Sequence, residues 1–322
     1  MKGALRVTFG GSGFDRRADL RKDPQHLDHL LDEESSHVLP VWRGKPLITG
    51  QNGDRLGLLR ADHPVFADAP DRPVFLGLGD GAAMFAREVS AWAGPLSDMS
   101  AIGAFIDDSE QTHPSLTKDH RFAELRQIMT RLSARDAELA ATAKGLFEWH
   151  AANGFCAHCG HRTDVTQSGW QRLCAACGRQ HFPRVDPVVI MLITHGNDLL
   201  IGRSPAWPDG MYSLLAGFME PGETIEAAVR REVFEESGII VGDVSYLAGQ
   251  PWPFPASLMI GMRGTAQSTE ITLDPVELED ARWVSREDIA DAWASRSTTL
   301  IAARKGAIAH YLIRNWLSDT LD

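Results

Sequence analysis

Glu232, Glu235 and Glu236 stand within the run Arg231-Glu-Val-Phe-Glu-Glu-Ser-Gly238, and their spacing carries chemistry. A helix advances about 100° per residue. Carboxylates at i, i+3 and i+4 therefore share an arc of roughly 100° on one face. Three carboxylates so close repel one another and raise each other's pKa unless a cation sits among them. Hard oxygen ligands on one helix face suit Mg²⁺ or Mn²⁺, which keep part of their water shell and take further ligands from phosphates. The chemistry to expect is divalent-metal chemistry on a phosphate-bearing substrate. The plain alternative is a solvated acidic face with no ligand at all.

The residues ahead of this run weigh against that alternative. Gly217-Phe-Met-Glu-Pro-Gly-Glu223 precedes it, and seven residues separate Glu223 from Arg231. Together they complete the pattern G-x5-E-x7-R-E-U-x-E-E-x-G-U, with U apolar, from Gly217 to Ile239. Gly217 and Gly222 are expected to permit a tight loop that Pro221 stiffens. Arg231 is expected to tie Glu223 to the helix, and Gly238 to close a helix over Glu223–Ser237. This stretch resembles the box of the Nudix hydrolases. The resemblance implies cleavage of a nucleoside diphosphate linked to another moiety, with Glu223, Arg231, Glu232, Glu235 and Glu236 as the catalytic set. Glu232, Glu235 and Glu236 would be the metal ligands, one glutamate assisting deprotonation of the attacking water.

All four cysteines lie in Cys156-Ala-His-Cys159 and Cys174-Ala-Ala-Cys177, fourteen residues apart. Two thiolate pairs on two turns can close one tetrahedral Zn²⁺ site per chain. Gly160 and Gly178 each follow the second cysteine of a pair, where a knuckle turn needs positive φ. A redox dithiol pair or unligated core cysteines are the other readings. A four-thiolate site has no open position, so it is expected to stabilise rather than catalyse. Around it, between Cys156 and Arg184, Arg162, Arg172, Arg179 and Arg184 face a single acid, Asp164. That is either an ordinary solvated ribbon surface or a patch guiding a polyphosphate or RNA 5′ end.

Eleven residues after Ile239 comes Gln250-Pro-Trp-Pro-Phe-Pro-Ala-Ser257, where prolines alternate with Trp252 and Phe254 in a stiff extended segment. Physically it is a packed core loop or a recognition element. The array is similar to that of the NADH pyrophosphatase (NudC-type) subfamily of Nudix enzymes, and the likeness covers most of the chain. It implies hydrolysis of NAD(H) to nicotinamide mononucleotide and AMP. It also implies removal of NAD caps from RNA 5′ ends, leaving 5′-monophosphate RNA, and a homodimer. By matching positions it implies Glu277 as a further Mg²⁺/Mn²⁺ ligand, Phe182 and Phe218 as rings stacking on a base, and Gln250, Trp252, Phe254, Ser257, Met259 and Ala309 as the frame of the nucleotide pocket. Gly249 stands where a Ser commonly precedes the Gln, and Phe182 where a Tyr often begins the Phe-Pro-Arg segment. Another diphosphate such as ADP-ribose, or a zinc-ribbon regulator that binds NAD without cutting it, are the competing readings.

These residues need elements to hold them. At 322 residues two or three domains are expected. The pattern and the resemblance together imply an α+β fold class: an N-terminal α/β domain over 1–152, a zinc ribbon over 153–185, and a Nudix α/β/α sandwich with a mixed sheet over 186–322. Strands are expected at Ser36–Pro40, Leu47–Ile48 and Val74–Leu78, a loop at Asp107–Pro114, and one helix over Ala123–His150 ended by Asn153-Gly154 in left-handed geometry. Farther on, Val188–Thr194 and Leu199–Gly202 read as a hairpin, with strands at Val244–Ala248, Leu258–Thr265 and Arg282–Val284. Helices are expected near Arg286–Ala294 and Ile301–Leu317.

A net charge of −11 argues against a general nucleic-acid coat protein. No apolar run has membrane-spanning length, and neither end carries a secretory or lipidation signal. A cytoplasmic protein is expected. The glycine-rich stretches Gly10–Gly13 and Gly77–Gly81 lack dinucleotide-binding spacing and read as turns.

Overall fold

Short, largely buried apolar runs, punctuated by Gly, Pro and Asp, build the first part of the chain into short strands. The computed structural model describes residues 7–69, 71–94, 107–205, 207–297 and 299–321; Met1–Arg6 and Asp322, on which the reading of the two ends partly rested, lie outside them. The chain divides into two compact units. The first holds Phe9–Arg184 with Pro253–Ala256, and the second holds the rest of the described chain.

In the first unit, helix α1 (Pro24–Asp32) starts where Asp23 accepts a hydrogen bond from His26 N. Strands β1 (His37–Trp42), β2 (Lys45–Thr49), β3 (Arg55–Leu56), β4 (Val74–Gly79), β5 (Ala82–Glu88) and β6 (Arg121–Phe122) form a sheet ordered β3-β2-β1-β5-β4, with β6 beside β2. Its core gathers Leu27, Val38, Trp42, Leu47, Phe75 and Phe85. The expected strands are all present. Asp107 leads the expected loop, and its carboxylate meets the buried Lys45 ammonium at 2.8 Å.

The single helix expected over 123–150 is two: α2 (Leu125–Ile128) and α3 (Ala134–Ala152). Ser133 interrupts it, sitting in extended conformation with its Oγ accepting from Asp136 N at 3.1 Å. A serine hydroxyl offers the backbone a cap that competes with helix continuation. At the far end Asn153 is not left-handed (φ −121°); its Nδ2 donates instead to Trp149 O at 2.9 Å. The ribbon follows as an antiparallel sheet of β7 (Asp164–Thr166), β8 (Gln171–Leu173) and β9 (Gln180–His181).

The second unit contains β10 (Asp186–His195), β11 (Asp198–Arg203), β12 (Leu215–Phe218), α4 (Ile225–Ser237), β13 (Val241–Trp252), β14 (Ser257–Ala266), β15 (Asp280–Ser285), α5 (Arg286–Trp293) and α6 (Ile308–Leu317). The sheet order is β13-β14-β10-β11-β15, with β12 on β10. Strands β10 and β14 run parallel and the other pairs antiparallel, so the sheet is mixed. The continuous apolar run in β10 has a direct cause: Val189, Met191 and Ile193 pack with Val229 and Val233 of α4, while Ile190 and Leu192 pack with Leu312 and Trp316 of α6. Both faces are buried, giving the α/β/α layering.

Two differences from the sequence reading stand out. Strand β12 lies where a loop was expected. Helix α6 begins at Ile308, not Ile301, because Ile301 N donates to Gly210 O at 2.8 Å and Gly306 turns the chain at φ 94°. Among the described residues no helix is long and apolar enough to cross a membrane.

Candidate active site and metal centres

Helix α4 carries the three glutamates. Thr224 caps its start, accepting from Ala227 N at 3.3 Å, and Gly238 ends it at φ 69°. One oxygen from each of Glu232, Glu236 and Glu277 lies within 4.8 Å of the others. Glu236 is 5% exposed, and its Oε2 is buried without a hydrogen-bond partner among the described residues. Burial, then the charges of Glu232, Glu277 and Glu235, push its carboxyl up to about 8. Burial likewise raises the Glu232 pKa against the opposing pull of Arg231. A buried anion without a counterion is costly, so the triplet has the donor set and the electrostatic deficit that fit a hard divalent cation. Glu235 stands outside the triplet, exposed and bonded to Arg231 Nη1 at 3.0 Å.

Arg231 organises the site. Its Nη2 donates to Glu223 Oε1 at 2.6 Å and to Phe218 O at 2.9 Å, and its Nε to Glu223 Oε2 at 3.1 Å. Nη1 donates to Glu232 at 2.8 Å and to Glu235 at 3.0 Å. All five guanidinium hydrogens are thus engaged. The expected Arg231–Glu223 link is present and holds the Glu223 pKa below its ordinary value. Glu223 in turn accepts from Glu220 N at 2.7 Å, fixing the loop ahead of the helix.

Gly217 plays a part the sequence reading did not foresee. It lies within β12, paired with Val189, rather than in a turn. A Cβ there would fall 1.9 Å from the carboxylate carbon of Glu232, so the missing side chain is the space that Glu232 fills. Gly222, at φ 96°, makes the turn. Backbone bonds help bring Glu277 in: Thr272 N donates to Ser237 O at 2.9 Å and Asp274 N to Glu236 O at 3.3 Å. Such bonds leave no trace in residue type, so sequence could not have shown them.

On the sheet's other face a row of residues crosses four strands. Phe218 of β12 pairs with Val188 of β10, Val188 with Met259 of β14, and Met259 with Gln250 of β13. Paired residues share a face, here the one covered by α6, where Ala309 is buried and Met259 packs. Phe218 is 59% exposed. Gln250 is buried, with Nε2 donating to Thr8 O at 3.2 Å and Gly306 O at 2.8 Å and Oε1 without a partner among the described residues. Trp252 and Ser257 pair at the hairpin's end. Phe254 belongs to the first unit, where Arg126 lies 4.2 Å over its ring. Phe182, also in the first unit, is exposed.

The four cysteines converge as expected. Their Sγ atoms all lie within 4.8 Å of one another, with Cys159–Cys174 at 3.5 Å and Cys156–Cys177 at 3.7 Å. A ZnS₄ tetrahedron with bonds of about 2.3 Å has edges of about 3.8 Å, so the cage fits zinc and is too open for disulfides. The two knuckles repeat one design: Gly160 N donates to Cys156 O and Gly178 N to Cys174 O, with both glycines at positive φ. Against the opposing effect of burial, the backbone N–H groups of Cys159 and His158 lower the Cys156 pKa and favour its thiolate, while, against the His161 N–H, the crowded neighbouring thiols raise that of Cys159.

Three family models match consecutive stretches of the chain. They are an NADH pyrophosphatase-like rudimentary NUDIX domain over residues 35–149, an NADH pyrophosphatase zinc ribbon domain over 151–182 and a NUDIX domain over 183–303. Among curated proteins, the chain is 45% identical to the NAD-capped RNA hydrolase NUDT12 of Homo sapiens over 200 residues, covering 59% of this chain and 43% of that protein. It is 36% identical to the NAD-capped RNA hydrolase NudC of Stutzerimonas stutzeri over 231 residues, covering 70% of this chain and 80% of that one. It is 39% identical to the mitochondrial NAD(P)H pyrophosphatase NUDT13 of Homo sapiens, over 61% of this chain and 59% of that one. The chain therefore spans less than half the length of the human NUDT12 protein it matches.

Proposed function

Because this chain belongs to the Nudix hydrolase family, in its NADH pyrophosphatase branch, we propose that it hydrolyses the diphosphate bond of NAD(H) to nicotinamide mononucleotide and AMP. Removal of NAD caps from RNA, leaving a 5′-monophosphate, is the same chemistry on a larger substrate. The observation that carries this reading is the carboxylate triplet Glu232, Glu236 and Glu277, with Glu236 Oε2 buried and without a partner among the described residues.

In this reading Glu232, Glu236 and Glu277 hold Mg²⁺ or Mn²⁺. Bound there, a divalent ion would neutralise the diphosphate oxygens and acidify the attacking water. The chain's own contribution is orientation. Arg231 keeps Glu232 and Glu235 in fixed positions relative to the Glu223 loop. We assign proton transfer to Glu235, which is exposed, outside the triplet and aimed by Arg231. Consecutive strand residues point to opposite faces, so Gly217 opens room on the α4 side while Phe218 presents its ring on the other. A diphosphate lying over this strand end would keep its phosphates by the carboxylates and stack a planar base on Phe218.

A homodimer and a cytoplasmic setting belong to the same proposal. Exposed Tyr246 and Val276 supply apolar surface for a second copy, and a thiolate zinc cage persists in a reducing compartment. The function is tested by incubating the protein with NAD, NADH, ADP-ribose and NAD-capped RNA, and comparing initial rates and products. Nicotinamide mononucleotide and AMP as products support it; fastest turnover of ADP-ribose overturns the substrate assignment.

A further inference from the structure

The first unit contains a cavity of about 850 Å³ that the reaction above does not use. Small-molecule sites occupy roughly 300–1,000 Å³. Its walls come from the turn Ala18–Lys22 with α1, from β4 and β5, and from the end of α3 with the ribbon. Leu27, Val74, Phe85 and Phe147 give it an apolar floor.

Charge around this floor is unevenly satisfied. Arg72 is already paired with Asp28. Lys22 lines the cavity, and its ammonium has no hydrogen bond or ion pair among the described residues. Arg162 lines it without a carboxylate partner, its guanidinium 5.3 Å from the Phe155 ring. Arg21 lies over Trp170 with its guanidinium carbon 3.7 Å from the ring centroid; its Nη2 donates to Arg16 O at 3.4 Å, and its Nε is buried without a partner among the described residues. Burial and the neighbouring Arg16 lower the Arg21 pKa, the mark of a cation short of solvent and counterion. A fifth cation, Arg172, is held in place by Thr163 Oγ1 at 2.7 Å and His150 Nδ1 at 3.0 Å. Asp71 and Glu88 also line the cavity, and Glu88 is pushed toward its neutral form by burial.

This combination specifies a ligand. Under-neutralised Arg21, Lys22 and Arg162 call for one anionic group. The apolar floor calls for a flat ring. Asp71 and Glu88 accept hydroxyl or amino hydrogens and discourage a ligand carrying several charges. We propose that this cavity is a second ligand site, which takes a nucleoside monophosphate, free or as one nucleotide of a single-stranded RNA. We assign it binding alone: the one group of metal-binding residues found among the described residues of this unit is the cysteine cage. It is independent of which diphosphate the second unit hydrolyses.

The test uses the full chain, zinc-loaded and without added Mg²⁺ or Mn²⁺. Equilibrium dialysis is run with AMP, with inorganic phosphate and with a 5′-hydroxyl oligoadenylate ten-mer. Lys22→Glu reverses one unpaired charge on an exposed turn, and Val165→Trp fills the cavity from the ribbon side. The expected result is binding of AMP or of the oligomer near one per chain, weakened about tenfold or more by each variant, a change of about 1.4 kcal/mol or more. NAD hydrolysis by both variants should stay within about twofold of the parent. Preference for AMP identifies the free nucleotide as ligand, and preference for the oligomer identifies RNA. Equal affinity for phosphate and AMP, binding indifferent to both variants, or no binding at all overturns the proposal.

Discussion

Replacing Gly217 by alanine should silence the enzyme while leaving it folded. The added Cβ would stand 1.9 Å from the Glu232 carboxylate carbon and 2.1 and 2.3 Å from its oxygens. Ordinary contact begins near 3.4 Å, so the carboxylate must retreat by about 1.5 Å (from 1.9 to at least 3.4 Å). Metal–ligand distances tolerate only about 0.2 Å, and a misplacement of about 1 Å costs on the order of 10²-fold in rate, or about 2.7 kcal/mol of transition-state stabilisation. The fold should hold. Gly217 is not in the left-handed region, and the atoms in the way are the far end of a flexible side chain. Alanine also recovers roughly 0.5–1 kcal/mol of strand preference over glycine. The assay is kcat on NAD at saturating Mg²⁺ and again with Mn²⁺, alongside Mn²⁺ affinity by EPR titration and a thermal melt. A Gly217→Ala protein with kcat within threefold of the parent and unchanged Mn²⁺ affinity would refute the argument. A fall in Tm of more than a few degrees would refute the claim that only the carboxylate occupies this space.

Glu236→Gln should fold normally yet lose on the order of 10²-fold or more in kcat, and full activity with added Mg²⁺ or Mn²⁺ would sink its assignment. The same residue sets a pH signature without divalent ions. Its folded pKa of about 8 lies above the ordinary 4.5, so its contribution to stability is full below about pH 4.5 and lost as pH rises through about 8. Thermal melts of the parent should therefore show falling Tm across that window, a slope that Glu236→Gln or saturating Mg²⁺ flattens; a slope identical in all three contradicts it. Arg231→Lys offers three donors where five are used, and about tenfold or greater loss of kcat is expected, with retained parental kcat the contrary outcome. Cys159→Ala should abolish one equivalent of bound zinc and lower stability by on the order of several kcal/mol, measured by metal analysis and calorimetry; an unchanged melt in zinc-free protein would argue against the cage.

The site was more legible in the sequence than its scaffold. Helical spacing puts Glu232 and Glu236 on one face whatever the surroundings, and the paired cysteines with Gly160 and Gly178 dictate their own knuckles. The role of Gly217 was legible only as an invitation to turn, because the side chain filling its empty space comes from Glu232, fifteen residues on. Strand β12 went unseen since Leu-Ala-Gly-Phe has little strand propensity; pairing with β10 imposes it. The break between α2 and α3 turned on one capping hydroxyl, at Ser133, that periodicity does not weigh. The late start of α6 reflects a long-range bond from Ile301 to Gly210, invisible to local pattern.

Successive residues of β12 face opposite sides of the sheet, Gly217 toward Glu232 and Phe218 in the row with Met259 and Gln250. A strand used this way separates two kinds of inheritance. Exchanges at Phe218 or Met259 reshape the surface offered to a base without moving the carboxylates one residue away. Exchanges at Gly217 strike the carboxylates and leave that surface alone. Single exchanges at 218 can therefore change what the strand end offers a ring while the carboxylate pocket beside 217 is kept, and the peptide bond between 217 and 218 is where the two meet.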